Sequence, residues 1–543
     1  MDLSTLDWAV LIAYLIIITA IGLIVGYRVR HSGEYFLGER KFGPWLMIGQ
    51  SFGVGTHAEM PVALAGAVYT HGASAIWFQW KNLFITPFYW IMAPVFRRIR
   101  RTTMAEFMED RYGSWMGAIY IVFAIIFFVI NMGSMLTGAG KVISQATGGS
   151  LAVNEIVVAM TVMFILYSFV GGLVAAAWTD LFQGFLIIVL SFLLIPLGWR
   201  VVGGLDGMQA ALEPYRFSLA TPSGIGPWVI FMLTVNGLVG IMAQPHQLAA
   251  VGTGKDERTC RIGMFYGNFV KRVCTVGWAL VGMIVAAMIV QGTADAASLG
   301  DPENAFGFAS RHLLFPGALG LLIASILAAN MSTCSAFLVD SGALFTEGLY
   351  RRRIAPDRAD AHYLWVGRIS GFAITMLGVL YAMFLVKSVL YTFLLTETMA
   401  TFVGISVLGG ILWRRANRWG ALASLIGAFA SNFLLYSMTG QRLDHWDANV
   451  FLAALAVGVV LLVGVSLMTA PEPAASHGPF FERLQTPSDG KAPRSLLLVN
   501  LLRPRQGAEG RGWSAYREDL GGFAVGWICV VVLVIATVLF LRM

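Results

Sequence analysis

The chain has 543 residues, 57% of them hydrophobic and only 12% charged, with a formal net charge of +7. A mean hydropathy of +0.72 excludes an ordinary soluble globular domain and predicts an all-α polytopic membrane protein embedded in the lipid bilayer. The surplus positive charge falls on alternate loops between apolar runs, which orients a membrane protein and does not make a nucleic-acid surface.

In chain order, a twenty-residue criterion predicts about fourteen spans, near 8–27, 43–71, 75–96, 114–142, 151–174, 178–200, 226–251, 263–291, 313–346, 363–386, 388–413, 418–438, 449–469 and 520–541. The amino end, Met1-Asp2-Leu3-Ser4, is acidic and the first run is long enough to span, so no cleaved signal is expected. One set of loops holds Arg28, Arg30, Arg40 and Lys41, then Arg97, Arg98, Arg100, Arg101 and Arg111, then Lys255, Arg258 and Arg261. It continues with Arg351, Arg352, Arg353 and Arg358, then Arg414, Arg415 and Arg418. The opposite loops carry little beyond Arg200, Arg216, Arg311, Lys387 and Arg442. The positive-inside rule makes the first set cytoplasmic and places both termini outside the cell's inner membrane. The stretch 470–519, with Pro471, Pro473, Pro479, Pro487, Pro493 and Pro504, reads as a polar, solvated cytoplasmic linker. Cys260, Cys274, Cys334 and Cys529 lack metal spacing and are expected as small packing residues. There is no nucleotide-binding P-loop, no HExxH motif and no attached signalling domain.

Two spans are interrupted alike. The second contains Gly49-Gln50-Ser51-Phe52-Gly53-Val54-Gly55-Thr56-His57-Ala58-Glu59-Met60-Pro61, and the seventh contains Asn236-Gly237-Leu238-Val239-Gly240 followed by Ala243-Gln244-Pro245-His246. Glycine in one membrane helix can mean close packing alone. A matched pair of breaks in two halves points to an inverted-repeat transporter whose site lies where the helices unwind. A further polar interruption is Ala329-Asn330-Met331-Ser332-Thr333-Cys334-Ser335. On a helix the Ala329 carbonyl points toward the hydroxyls three and four residues later. Such hard oxygens suit an alkali cation, although Ser and Thr packing within a helix would use the same residues.

Three stretches carry a resemblance to a known family: Tyr35-Phe36-Leu37-Gly38 before the first broken helix, Gly171-Gly172-Leu173 leading to Trp178-Thr179-Asp180-Leu181-Phe182-Gln183, and the Ala329–Ser335 segment running on to Phe345-Thr346-Glu347-Gly348-Leu349-Tyr350. Over roughly the first 470 residues the chain resembles the sodium:solute symporter family. The resemblance implies a leucine-transporter-type bundle of two inverted five-helix repeats, 43–200 and 226–413. Residues 1–42 would form a first flanking helix and loop, 418–469 two flanking helices and 520–543 the last span. It implies sodium-coupled symport of a small-molecule substrate, not enzymatic catalysis. The sodium ion (Na+) would bind the carbonyls of Gly53, Thr56 and Ala329 and the hydroxyls of Ser332 and Thr333. Asp180 would offset the ion's charge or cap the 178–200 span. Asp180, Ser332 and Ser335 also fit a second ion site found in some relatives, but Ala336 stands where a further hydroxyl is needed. Asp340 either lines an inward release path or makes a structural hydrogen bond.

The family's substrate positions map onto Glu59, Met60, Gln79, Asn82, Asn236, Lys271, and Thr396 or Glu397. Apart from that mapping, Lys271 and its neighbour Arg272 fall near midplane and Lys81 lies inside the third span. A cation at such depth costs about 2.5–3.5 kcal/mol. Glu59 and Glu397 are candidate partners, a substrate carboxylate is an alternative, and Lys81 snorkelling outward is a third. Rival functions are a proton-coupled or uncoupled transporter on the same bundle, or a transport-derived sensor. A membrane enzyme is disfavoured, since His57 and His246 stand far apart in the sequence.

Overall fold

The computed structural model describes residues 3–27, 32–222, 225–439, 446–488, 496–501 and 516–543. Met1, Asp2, Arg28, Arg30, Arg442, Pro493 and Pro504 lie outside them. No strand occurs among the described residues. In a bilayer this follows from the need to satisfy every backbone group within its own segment.

The principal helices are α1 (Thr5–Gly26), α2 (Pro44–Val54), α3 (Glu59–His71), α4 (Trp77–Ile99), α5 (Met104–Tyr112), α6 (Ser114–Ala146) and α7 (Val153–Phe192). They continue with α8 (Pro227–Gly240), α9 (Gln247–Gly252), α10 (Glu257–Val290), α11 (Ala318–Phe345), α12 (Asp360–Phe384) and α13 (Val389–Leu412). Outside this set are α14 (Arg418–Thr439), α15 (Ala448–Met468), α16 (Ala474–Gln485) and α17 (Arg517–Arg542). Ten described helices are long and apolar enough to cross a membrane. Shorter helices account for the two broken spans and the first half of α7, while α4 carries Lys81, Arg97 and Arg98 within its length.

The predicted breaks are present. The second span is interrupted at residues 55–58 between α2 and α3, and the seventh at 244–246 between α8 and α9. The fifth and sixth spans form α7, which turns sharply at Gly172 (φ 58°, ψ −152°). A Cβ there would sit 2.7 Å from the Tyr35 carbonyl, so the corner requires glycine.

Helix α11 is buried along nearly all its length and packs against α1, α6, α7 and α12. The close approaches use small residues, the usual device where lipid supplies no hydrophobic drive between helices. A Cβ on Gly371 of α12, for example, would overlap the Leu338 carbonyl of α11. Helix α10 packs on α2, α3 and α4, whereas α8 packs on α13. At the two helix starts, the Asp7 carboxylate accepts from Gly317 N and Gly320 N at 2.7 Å each, tying α1 to α11.

The stretch expected as a solvated linker is partly ordered. Helix α16 buries Phe480, Phe481 and Leu484 against α4 and α5. Its carbonyl end is held by Arg98, which donates to Leu484 O at 3.0 Å and pairs with Glu257.

Candidate functional site

The helix α2 ends among glycines, and its last turn meets α7 and α11. Gly53 makes this approach possible: a Cβ would lie 2.7 Å from Ser332 Oγ and 3.0 Å from Asp180 Cβ. Thr333 Oγ1 donates to the carbonyls of Gly53 at 3.2 Å and Val54 at 3.4 Å. Ser332 Oγ donates to Asp180 Oδ1 at 2.5 Å. Thus the two hydroxyls of α11, the carbonyl end of α2 and Asp180 converge. Ala329 lies one turn earlier on α11, on the face it shares with Ser332 and Thr333. The Thr56 amide returns to the Gly53 carbonyl at 3.1 Å.

All of these groups are buried. Among the described residues, Thr56 Oγ1 and Asp180 Oδ2 have no hydrogen-bond partner. Unpartnered buried oxygens are costly in protein interiors, and neutral carbonyl and hydroxyl oxygens are a donor set for a hard alkali cation. The residues therefore fit sodium. Asp180 lies inside α7 and bonds across to α11, which corrects the alternative of a helix cap.

Ser335 behaves differently, its hydroxyl donating to Met331 O at 2.5 Å within its own helix. Asp340 Oδ1 has no partner among the described residues and faces a cleft with Thr102, Thr103, Pro245 and Ala249.

A second cluster lies between the two breaks. Lys81 is fully buried and paired with Glu397, so it does not snorkel outward. Glu59 is paired with His57. Lys271 donates to the Gly55 carbonyl in the first break and lies within electrostatic reach of Glu59, Glu397, Lys81 and Arg272. Arg272 donates to Gln79 O at 3.2 Å. The side-chain amide of Gln79 is buried with neither end hydrogen-bonded.

Other mapped positions are engaged locally. Asn236 Oδ1 accepts from Thr401 Oγ1 at 2.5 Å, and its Nδ2 donates to Thr398 Oγ1 at 3.4 Å. Thr396 Oγ1 donates to Phe393 O at 2.8 Å and accepts from Asn131 Nδ2 at 3.3 Å. Asn82 faces Gly237 of α8, and Met60 is buried.

Three relations were not read from the sequence. Asn330 accepts from Ala58 N at 3.2 Å and donates to Met135 O at 2.7 Å, pinning the first break to α6 and α11. His57 and His246, distant in sequence, lie within electrostatic reach of each other. Gln183 donates to Tyr14 OH at 3.0 Å, bringing α1 to the edge of the Asp180 region. The signal for the histidines was their place in the two matched breaks; for Asn330 it was its seat inside the polar segment.

A model of the sodium:solute symporter family matches residues 35–427. The osmoregulated proline transporter OpuE of Bacillus subtilis is 25% identical over 488 residues, covering 86% of this chain and 95% of that protein. Sodium/proline symporter 2 of Staphylococcus saprophyticus is 27% identical over 442 residues, covering 77% and 84%. Among solved structures, a Na+-coupled sialic acid symporter in a substrate-bound outward-open state matches with a TM-score of 0.73 at 17% identity, over 87% of this chain and 99% of that one. Mhp1, a nucleobase-cation-symport-1 family transporter, matches with a TM-score of 0.54 at 13% identity, over 81% and 96%.

Buried helices, matched breaks and these structural likenesses define a multi-pass membrane protein with the leucine-transporter-type inverted-repeat bundle. The chain belongs to the sodium:solute symporter family. It is a sodium-coupled symporter of a small organic solute and not an enzyme.

Proposed function

We propose that the protein imports a small carboxylate-bearing solute with sodium, across the inner cell membrane and with both termini outside. Sodium is held by the carbonyls of Gly53, Thr56 and Ala329 and the hydroxyls of Ser332 and Thr333. The observation that carries this reading is the Thr333 hydroxyl on the carbonyl end of α2, with Ser332 beside it on Asp180. All five ligands are neutral, and Asp180 offsets the ion's charge. A single sodium is favoured, because position 336 is alanine where a second site needs a further hydroxyl. The repeats are 43–200 and 226–413, so sodium bridges a half-helix of the first repeat to α11 of the second. Binding there favours one of the alternating-access states and orders the first break, which is how one ligand raises affinity for the other. The membrane potential adds about 2.3 kcal/mol per charge per 100 mV to inward movement.

The substrate position is the space bordered by Glu59, Met60, Gln79, Asn82, Asn236, Lys271, Thr396 and Glu397. Of these, Asn236 and Thr396 are tied to neighbouring side chains, Glu59 contacts His57 and Glu397 is ion-paired with Lys81. The unpartnered Gln79 amide and the Lys271 ammonium are the groups suited to a carboxylate. Relatives transport proline, which carries one. The test is uptake into proteoliposomes of labelled L-proline, N-acetylneuraminate and short monocarboxylates, under an inward gradient of sodium or of choline. One of these solutes should accumulate at least about tenfold faster with sodium. Equal rates in sodium and choline would favour a proton-coupled or uncoupled transporter of the same fold.

A further inference from the structure

Lys271 is an unusual tenant of the first break. Its side chain comes from the middle of α10, is 5% exposed, and places its ammonium on the carbonyl of Gly55. Gly55 caps the C-terminus of α2, where the last carbonyls lack helical donors and carry partial negative charge. The same turn supplies the proposed sodium ligands Gly53 and Thr56, on either side of Gly55. Thr333 already reaches Gly53 O. The Lys271 amine thus bonds into the same turn as two of the proposed sodium ligands.

Neither nearby carboxylate bonds to it. Glu397 is engaged by Lys81, and Glu59 meets His57 through one oxygen while its other oxygen is buried without a partner. Among the described residues Lys271 forms no ion pair, and its hydrogen bond is to a neutral carbonyl. On the other side of α10, Arg272 holds the backbone of Gln79, whose amide is buried and unpartnered.

We propose that Lys271 couples solute to sodium: its ammonium rests on the Gly55 carbonyl and opposes sodium in the same turn, and a substrate carboxylate draws it away. Two like charges held by one turn of backbone repel, and more strongly in a medium of low polarity than in water. A carboxylate is a stronger partner for an ammonium than a carbonyl is. Substrate binding therefore removes an opposing charge from the sodium site, and sodium binding releases Lys271 toward substrate. The linkage is reciprocal, with expected coupling of about 5–150-fold. The inference rests on the sodium-symport reading above.

The test uses purified full-length protein and sodium alone. Tryptophan fluorescence is titrated with sodium chloride against choline chloride at constant ionic strength, for wild type, Lys271→Gln and Lys271→Arg. Lys271→Gln should bind sodium at about a tenfold lower midpoint, because the opposing charge is gone. Lys271→Arg, which keeps that charge, should not bind tighter than wild type. An unchanged or higher midpoint in Lys271→Gln would overturn the proposal, and is what a merely structural role predicts.

Should Lys271→Gln fail to fold, wild type supplies the second measurement. Acetylation of Lys271 by an amine-reactive ester, followed by mass spectrometry, should rise severalfold in sodium over choline; equal labelling overturns the proposal. A wild type that does not respond to sodium defeats the symport reading itself. A responsive wild type matched by Lys271→Gln defeats only the role of Lys271.

Discussion

Ser332 and Asn330 stand two positions apart on α11 and serve different neighbours. The Ser332 hydroxyl faces Asp180, whereas Asn330 reaches the backbone of the first break and of α6. The Asn330→Ala variant would strand the buried Ala58 amide and remove a second bond from the Met135 carbonyl, which keeps its place in its own helix. An orphaned buried amide costs about 1–3 kcal/mol, so the thermal midpoint in detergent should fall clearly and the first break should loosen. An unchanged midpoint would mean that the two bonds contribute nothing. The hydroxyls were legible because helical spacing alone brings positions three and four residues apart to one face. The partners of Asn330 were not, because 272 and 195 residues separate it from Ala58 and Met135. Lys81 lies between these cases. Its depth demanded a partner, and Glu397 was one of the two acids available, but only the packing of α4 near α13 selects it.

At the level of elements, the two broken helices were legible from glycine, proline and polar residues within apolar runs, whereas the Gly172 corner falls inside the expected 151–174 span and shows only in the backbone. Helix α16 was not, because its prolines and polar composition resemble those of a solvated connector. What anchors it is an apolar patch of Phe480, Phe481 and Leu484, lying on one face when the segment is helical. Around that patch Arg483 pairs with Asp110, and Arg111 and Arg414 lie over the Phe481 ring at 5.3 and 5.1 Å. The segment thereby joins the C-terminal ends of α4 and α5 and the start of α10 to the loop after α13. Truncating both rings, Phe480→Ala with Phe481→Ala, removes burial worth about 3–5 kcal/mol per ring. Limited proteolysis should then cut within 474–488 at least about tenfold faster than in wild type. Equal cleavage rates would show that α16 is not held by these contacts.

On the scale of the whole molecule, hydropathy and charge asymmetry made the membrane class legible, and the repeated break made the transporter architecture legible. Among the described residues the long apolar helices are fewer than the expected spans, because two spans are broken, α4 carries charges within its length, and the expected 151–174 span is the short first part of α7. Helix α11, with its polar midsection, is the most buried of the candidate spans and places its hydroxyls against α2 and α7. Central to the account is that this junction binds sodium. The most direct measurement is the sodium titration of fluorescence in purified wild type, Ser332→Ala and Thr333→Ala. Each substitution should raise the sodium midpoint by about tenfold or more, the opposite sign to Lys271→Gln and within the range of about 1.5–3 kcal/mol for a lost charge-assisted contact. Midpoints equal to wild type in both variants would contradict it.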